Sequence, residues 1–138
     1  HNIYGPRMGN AHVIPELIKK INKNNKCKIF SPGHSRSFCF VDDAINQIIE
    51  LSFSKKTYGQ IYNIGNMNEE IKIYDLAKKL KKLLKRNTKL IRYKNTSGSP
   101  KRRAPNMYKT LGKINFKKFT NLESGLIKTI NWYLNEKN

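Results

Sequence analysis

Six arginines stand among the 138 residues, and three of them occupy places from which an oxyanion could be gripped. Arg36 follows the chain break Ser31-Pro32-Gly33 and enters the apolar run Ser37-Phe38-Cys39-Phe40-Val41. Arg102 and Arg103 lie in a polar stretch from Asn95 to Pro105 that also holds Gly98 and Pro100. A guanidinium is always charged and presents a planar fork of N–H donors, which suits two-pronged contact with a phosphate or a carboxylate. The plainer reading of each is a solvated arginine, at a strand edge for Arg36 or in a Lys-Arg-Arg run for the pair. Asn2 adds amide donors. The helix start at His12 and Val13 adds backbone N–H groups, which favour anions. The two cysteines, Cys27 and Cys39, lack zinc-type spacing, so no metal site is expected.

Those side chains need elements to hold them. Val13, Ile14, Leu17, Ile18 and Ile21 recur at helical spacing with Lys19, Lys20 and Lys23 between them. An amphipathic helix is therefore expected over 13–23, with Pro15 in the first turn where its missing N–H costs little. Residues 1–6 read as the end of a strand and a Gly-Pro turn. Cys27 to Phe30 and Ser37 to Val41 read as short strands. Asp42 and Asp43 open a helix to about Phe53, their charge suiting the positive end of its dipole. Ile61 to Gly65 reads as a strand closed by a glycine turn. Ile73 to about Leu84 reads as a helix with Leu76, Ala77, Leu80, Leu83 and Leu84 inward. Leu90 to Tyr93 reads as a strand, 95–105 as a loop, Met107 to Leu111 as a helical turn, and Leu122 to Leu134 as a closing helix. Helices alternating with short strands give an α/β or α+β domain. The strands are too short and few for an independent sheet, which points to a part leaning on something else.

The formal net charge of +19 suggests a nucleic-acid binder at first sight. Lysine supplies 22 of the 28 basic residues, scattered along the chain, and arginine, the usual reader of base edges, is scarce. Lys, Asn and Ile together make 55 of 138 residues, a bias that A/T-rich codons would produce. The basicity therefore reads as solvated faces, and no nucleic-acid partner is expected. No apolar run of about 18 residues is present, so no membrane span is expected. The N-terminus has no signal-peptide pattern and no initiator Met. Cys27 and Cys39 sit in apolar contexts and read as buried free thiols, which fits a reducing cytoplasm.

Five segments, in order, resemble the extended short-chain dehydrogenase/reductase family, among its NAD-dependent nucleotide-sugar epimerases and dehydratases. His1-Asn2-Ile3-Tyr4-Gly5-Pro6-Arg7-Met8 is similar to the Asn-x-Tyr-Gly-Pro strand end. Phe30 to Asp43 is similar to the Gly-x-Gly-x-x-x-Arg-x-Phe-x-x-Val-x-Asp block, with Ser31 in place of its first glycine. Arg102-Arg103-Ala104-Pro105-Asn106 is similar to Arg-Arg-x-Pro-Asp, with Asn106 where Asp is common. Tyr62 to Asn66 and Gly125 to Tyr133 also fit. The resemblance implies the C-terminal, substrate-binding part of an extended Rossmann-type NAD(P)-binding fold, with residues 1–6 the end of a Rossmann strand, 12–138 a substrate-binding subdomain, and the N-terminal Rossmann core lying outside this chain.

The resemblance also implies roles. Arg36, Arg103 and its neighbour Arg102 would meet the diphosphate, with Asn2 near it. The backbone at His12 and Val13 would meet the nucleotide, and Lys28 and Phe30, on one strand face, would line the base slot. Asn106 would orient the arginines or hold a ribose hydroxyl. Ile3 and Tyr4 would touch the nicotinamide end of NAD, which is bound mainly outside this chain. The partner implied is a nucleoside diphosphate sugar, with a UDP-sugar epimerase or UDP-glucuronate decarboxylase as the nearest type, and the full enzyme is expected to be a homodimer. No catalytic residue is expected here. Tyr74 and Lys78 have the spacing of the family's Tyr-x-x-x-Lys pair but read as a partly packed Tyr and a solvated Lys on a lysine-rich helix. The chain alone is expected to be inactive and to expose apolar surface. Two rival readings are a stand-alone, non-catalytic UDP-sugar-binding protein and a basic nucleic-acid-binding protein.

Overall fold

The structure, a computed structural model, describes residues 1–116 and 118–135. Three amphipathic helices build the core. In α1, Val13–Lys23, the residues Ile14, Leu17, Ile18 and Ile21 are buried. In α3, Ile73–Leu83, they are Ile73, Leu76, Ala77 and Leu80. In α5, Leu122–Asn135, they are Leu122, Gly125, Leu126, Thr129 and Ile130. Each of these helices touches the other two. The lysines of α1 and α3 fall between the buried positions and keep their ammonium groups in water.

Short strands frame the helices. β1, Ile3–Tyr4, pairs in parallel with β4, Cys39–Phe40, and α2, Val41–Phe53, follows directly. β2, Lys26–Ile29, pairs in parallel with β6, Lys89–Arg92. β3, Ser35–Ser37, is the centre of a third sheet, antiparallel to β5, Glu70–Lys72, and parallel to β7, Arg102–Arg103. A 3₁₀ turn, Lys55–Thr57, and a short helix α4, Tyr108–Leu111, complete the described elements.

Residues 1–6 are built into this core. The Tyr4 ring meets Phe40 edge-on at 5.5 Å between centroids and Phe38 at 6.1 Å, and its hydroxyl donates to the Leu122 carbonyl at 3.3 Å. Burial, with Glu69 and Asp43 near, holds the phenol above its usual ionisation range. Gly125 lets α5 come this close: a Cβ there would collide with the Tyr4 hydroxyl and lie 2.8 Å from Cζ.

Two sequence expectations change. Residues 61–65 are not a strand. Side chains take the place of a ladder partner: buried Gln47 both donates to the Gly65 carbonyl at 3.0 Å and accepts from its N–H at 3.1 Å, while Thr110 and Lys109 donate to the carbonyls of Asn63 and Ile61. The expected loop 95–105 ends in strand β7, and β5 was not anticipated; both are brief, charged segments that become strands only by pairing with β3. On α2 the inward face is Ala44, Gln47 and Leu51, while Ile45, Ile48, Ile49 and Phe53 point out, Phe53 being 83% exposed.

Candidate anion and nucleotide site

The β5-β3-β7 sheet has two faces, set by the alternation of side chains along a strand. The register places Ser35 opposite Lys72 and Arg102, and Arg36 opposite Ile71 and Arg103. On the first face Glu70 accepts a two-pronged contact from Arg102, Nη2 to Oε2 at 2.8 Å and Nε to Oε1 at 2.9 Å, and a bond from the Ser35 hydroxyl at 2.5 Å. These bonds, Arg102 first, hold the Glu70 carboxyl below its ordinary value. Arg102, the one guanidinium on this face, is thus balanced by Glu70, while Lys72 on the same face stays exposed to water.

The second face is not balanced. Arg36 is 8% exposed. Its Nη1 donates to the Ser35 carbonyl at 2.7 Å and its Nη2 to the Ser99 hydroxyl at 2.8 Å. Both partners are neutral. Burial, and then the neighbouring Arg103, pull its pKa below the ordinary arginine value. Among the described residues neither Arg36 nor Arg103 has a carboxylate in an ion pair. A desolvated cation beside a second cation is unfavourable until an anion arrives. The two bonds above use two of the five N–H donors of the guanidinium, so others remain for a ligand.

Across the turn 31–34, β2 presents a second group of candidate residues. Cys27 and Ile29 are buried, and Lys28 and Phe30 share the outer face, as the alternation required. Phe30 is not core: it is 38% exposed and meets Tyr93 edge-on at 5.0 Å. Lys28 Nζ lies 4.8 Å from the Tyr93 ring centroid and Lys20 Nζ 5.9 Å from that of Phe30. The result is an exposed aromatic pair rimmed by ammonium groups, suited to a flat ring bearing phosphates. Tyr93 was not singled out from sequence. The signal lies in the pairing of β2 with β6: Ile29 faces Arg92, so the next residue on each strand, Phe30 and Tyr93, come together.

The other expected residues separate into those left open and those already engaged. His12 is exposed just before α1, its side chain making no cap, and Val13 begins the helix. Asn2 Nδ2 donates to the Ser37 carbonyl at 2.9 Å, so it ties β1 to the strand carrying Arg36. Asn106 Oδ1 accepts from the Tyr108 N–H at 3.1 Å and caps the turn into α4. Arg102 is engaged by Glu70 on the face away from Arg36 and Arg103. The Tyr4 side chain is enclosed at 1% exposure, which leaves Ile3, half-buried, as the side chain on that strand end open to a neighbour. Lys78 sits over the Tyr74 ring at 5.1 Å, pairs with Asp75 at 3.0 Å, and Arg92 covers the same ring at 3.9 Å. That geometry is surface packing of a Tyr between cations. The described residues hold no group of three or more His, Cys, Asp or Glu fit for a metal, and no helix among them is long and apolar enough to cross a membrane.

Residues 1–65 match the NAD dependent epimerase/dehydratase family. The chain is 30% identical over 139 residues to dTDP-D-glucose 4,6-dehydratase of Homo sapiens, an alignment covering 96% of this chain and 39% of that protein. It is 30% identical over 128 residues to UDP-glucuronic acid decarboxylase 6 of Arabidopsis thaliana, covering 91% of this chain and 36% of that one. The fold superposes on UDP-glucuronic acid 4-epimerase from Bacillus cereus, solved in complex with UDP-glucuronic acid and NAD, with a TM-score of 0.87 at 24% identity over 96% of this chain and 43% of that structure. The chain belongs to the NAD-dependent epimerase/dehydratase family, within the extended short-chain dehydrogenases/reductases. Its α/β fold corresponds to the C-terminal portion of these Rossmann-type proteins, and it spans about 39% of the length of the curated relative it matches in Homo sapiens.

Proposed function

We propose that this chain is the nucleotide-sugar-binding part of an NAD-dependent epimerase or dehydratase, and that its ligand is a pyrimidine nucleoside diphosphate sugar. The observation that carries this reading is the buried Arg36 beside Arg103, held by neutral partners and lacking a carboxylate among the described residues. A diphosphate supplies the missing negative charge. The Phe30–Tyr93 pair would stack the base, Lys28 would flank it, and the backbone N–H groups at the start of α1 would meet the nucleotide. Asn2 and Asn106 would act one step back, as anchors for the strands and turns that carry the arginines.

In the complete enzyme, NAD would supply the transient removal and return of a hydride from the sugar. The described residues do not make a dinucleotide site by themselves: their glycines form no phosphate loop, and the Tyr4 ring is enclosed in the core. This chain would bind and orient the substrate and would be inert by itself. Ile3 is left at the cofactor's edge. Two buried free thiols suit a reducing compartment.

The test is a calorimetric titration of UDP, with duplex DNA as competitor, at low and physiological salt. The expected result is one saturable UDP site, weakened about a hundredfold by Arg36→Ala. No UDP binding, with tight DNA binding that collapses as salt rises, would overturn the reading in favour of a basic nucleic-acid binder.

A further inference from the structure

Ser31 sits in a left-handed conformation, φ 49°, which favours glycine, and the sequence block it belongs to resembles one with glycine at that place. It is nevertheless a serine, 6% exposed, and its hydroxyl is used: it accepts from the Thr96 N–H at 3.0 Å. Its own N–H donates to the Lys94 carbonyl at 3.2 Å. Farther on, the Ser35 N–H donates to the Lys101 carbonyl at 2.9 Å, and Arg36 Nη2 donates to the Ser99 hydroxyl at 2.8 Å. The Ser99 N–H closes onto the Thr96 carbonyl at 3.2 Å, forming a turn around Gly98 at φ 71°. Residues 94–101 thus form a strap tied along the turn that leads into β3 and Arg36, with Ser31 holding one end and Ser99 accepting from the guanidinium.

We propose that Ser31 and Ser99 are positioning residues for the anion-binding arginine. The inference rests on the reading of Arg36 as the diphosphate ligand. A free arginine has many rotamers to lose when it binds an anion, and that loss weakens binding. Ser99 removes part of it in advance. A hydroxyl acceptor orders the guanidinium without neutralising it, unlike the carboxylate of Glu70 on Arg102. Ser31 keeps a strained backbone because its hydroxyl fixes Thr96, and the Thr96–Ser99 turn sets where Ser99 stands.

The experiment is UDP titration into the full natural polypeptide, with melting temperature measured beside it. Ser99→Ala is expected to weaken UDP about fivefold to tenfold, and Ser99→Thr to restore it. Ser31→Gly relieves the left-handed backbone, so it should melt no lower than the parent, yet bind UDP about threefold to fivefold more weakly. Ser31→Ala should weaken binding likewise and also melt lower. A purely structural role predicts instead that affinity follows stability, so Ser31→Gly would bind as the parent does. If Ser99→Ala and Ser31→Gly bind like the parent while Arg36→Ala does not, the positioning role is overturned and the anion site stands. If Arg36→Ala itself binds like the parent, the anion-site reading fails and the inference falls with it.

Discussion

Arg102 and Arg103 are neighbours in the chain and lie in the same strand, yet their circumstances are opposite. Arg102 faces Glu70 in a two-pronged pair; Arg103 faces Arg36 with no carboxylate among the described residues in an ion pair with it. The difference lies in the parity of a strand, not in residue type. An arginine whose neighbours leave its charge uncompensated keeps that charge free for an anion, and one that meets a carboxylate serves as a strand clasp. A second contrast runs the same way. Lys78, Lys81, Lys82, Lys85, Arg86 and Lys89 line a groove beside α3, a denser collection of charge than the arginine pair. Those side chains are long and largely solvated, with Lys78 paired to Asp75 and Arg86 donating to Asn22 at the surface, whereas Arg36 is buried.

Among changes that leave every arginine in place, making the two faces alike should cost the most. Ile71 is the strand partner of Arg36, so Ile71→Glu should clasp Arg36 as Glu70 clasps Arg102 and weaken UDP binding by about fiftyfold. Ile71→Gln, which matches the size without the charge, should lose much less. Equal losses in calorimetry would mean that packing, not charge, separates the faces. Next, Arg103→Ala should reduce UDP affinity about tenfold while Arg102→Ala changes it by less than about twofold. A matching loss from Arg102→Ala would erase the distinction drawn between them. Third, the combined variant Lys81→Ala, Lys82→Ala, Lys85→Ala should leave UDP affinity at physiological salt within about twofold, because exposed charges at a distance are screened. A large loss there would make total basicity the source of binding.

The smallest effect is a pH dependence. Hydrogen bonds from Arg102 and Ser35 lower the folded-state pKa of Glu70. Its contribution to stability is therefore present above the ordinary carboxylate range and is lost as pH falls through the lowered value. Melting curves of Glu70→Gln and the parent should coincide in acid and separate slightly toward neutral pH. The separation should be small because the pair is exposed. Separation that grows in acid would reverse the assigned sign.

Much of the framework was legible in the residue order. The helix expected over 13–23 is α1 with the same ends, and the helix expected from Ile73 ends within a residue of its reading, because apolar residues at a period of 3.6 with lysines between admit one amphipathic solution. Arg36 was legible too, as a guanidinium entering an apolar strand after a chain break. Phe30 was placed on the right strand face, but Tyr93 was missed, since their meeting depends on pairing β2 with β6. The motif places Tyr4 at a strand end near a cofactor, whereas its ring fills the space that Gly125 leaves open on a helix far along the chain.

The helices, the turn before Arg36 and the family of the chain follow from local spacing and ordered motifs, which carry that information without reference to distant partners. Which arginine is neutralised, which aromatic is covered, and that Ser31 binds a distant loop depend on residues brought together from far along the chain. Strand register settles the first, since a slip of one residue would send every side chain of a strand to the opposite face, and packing between distant segments settles the other two.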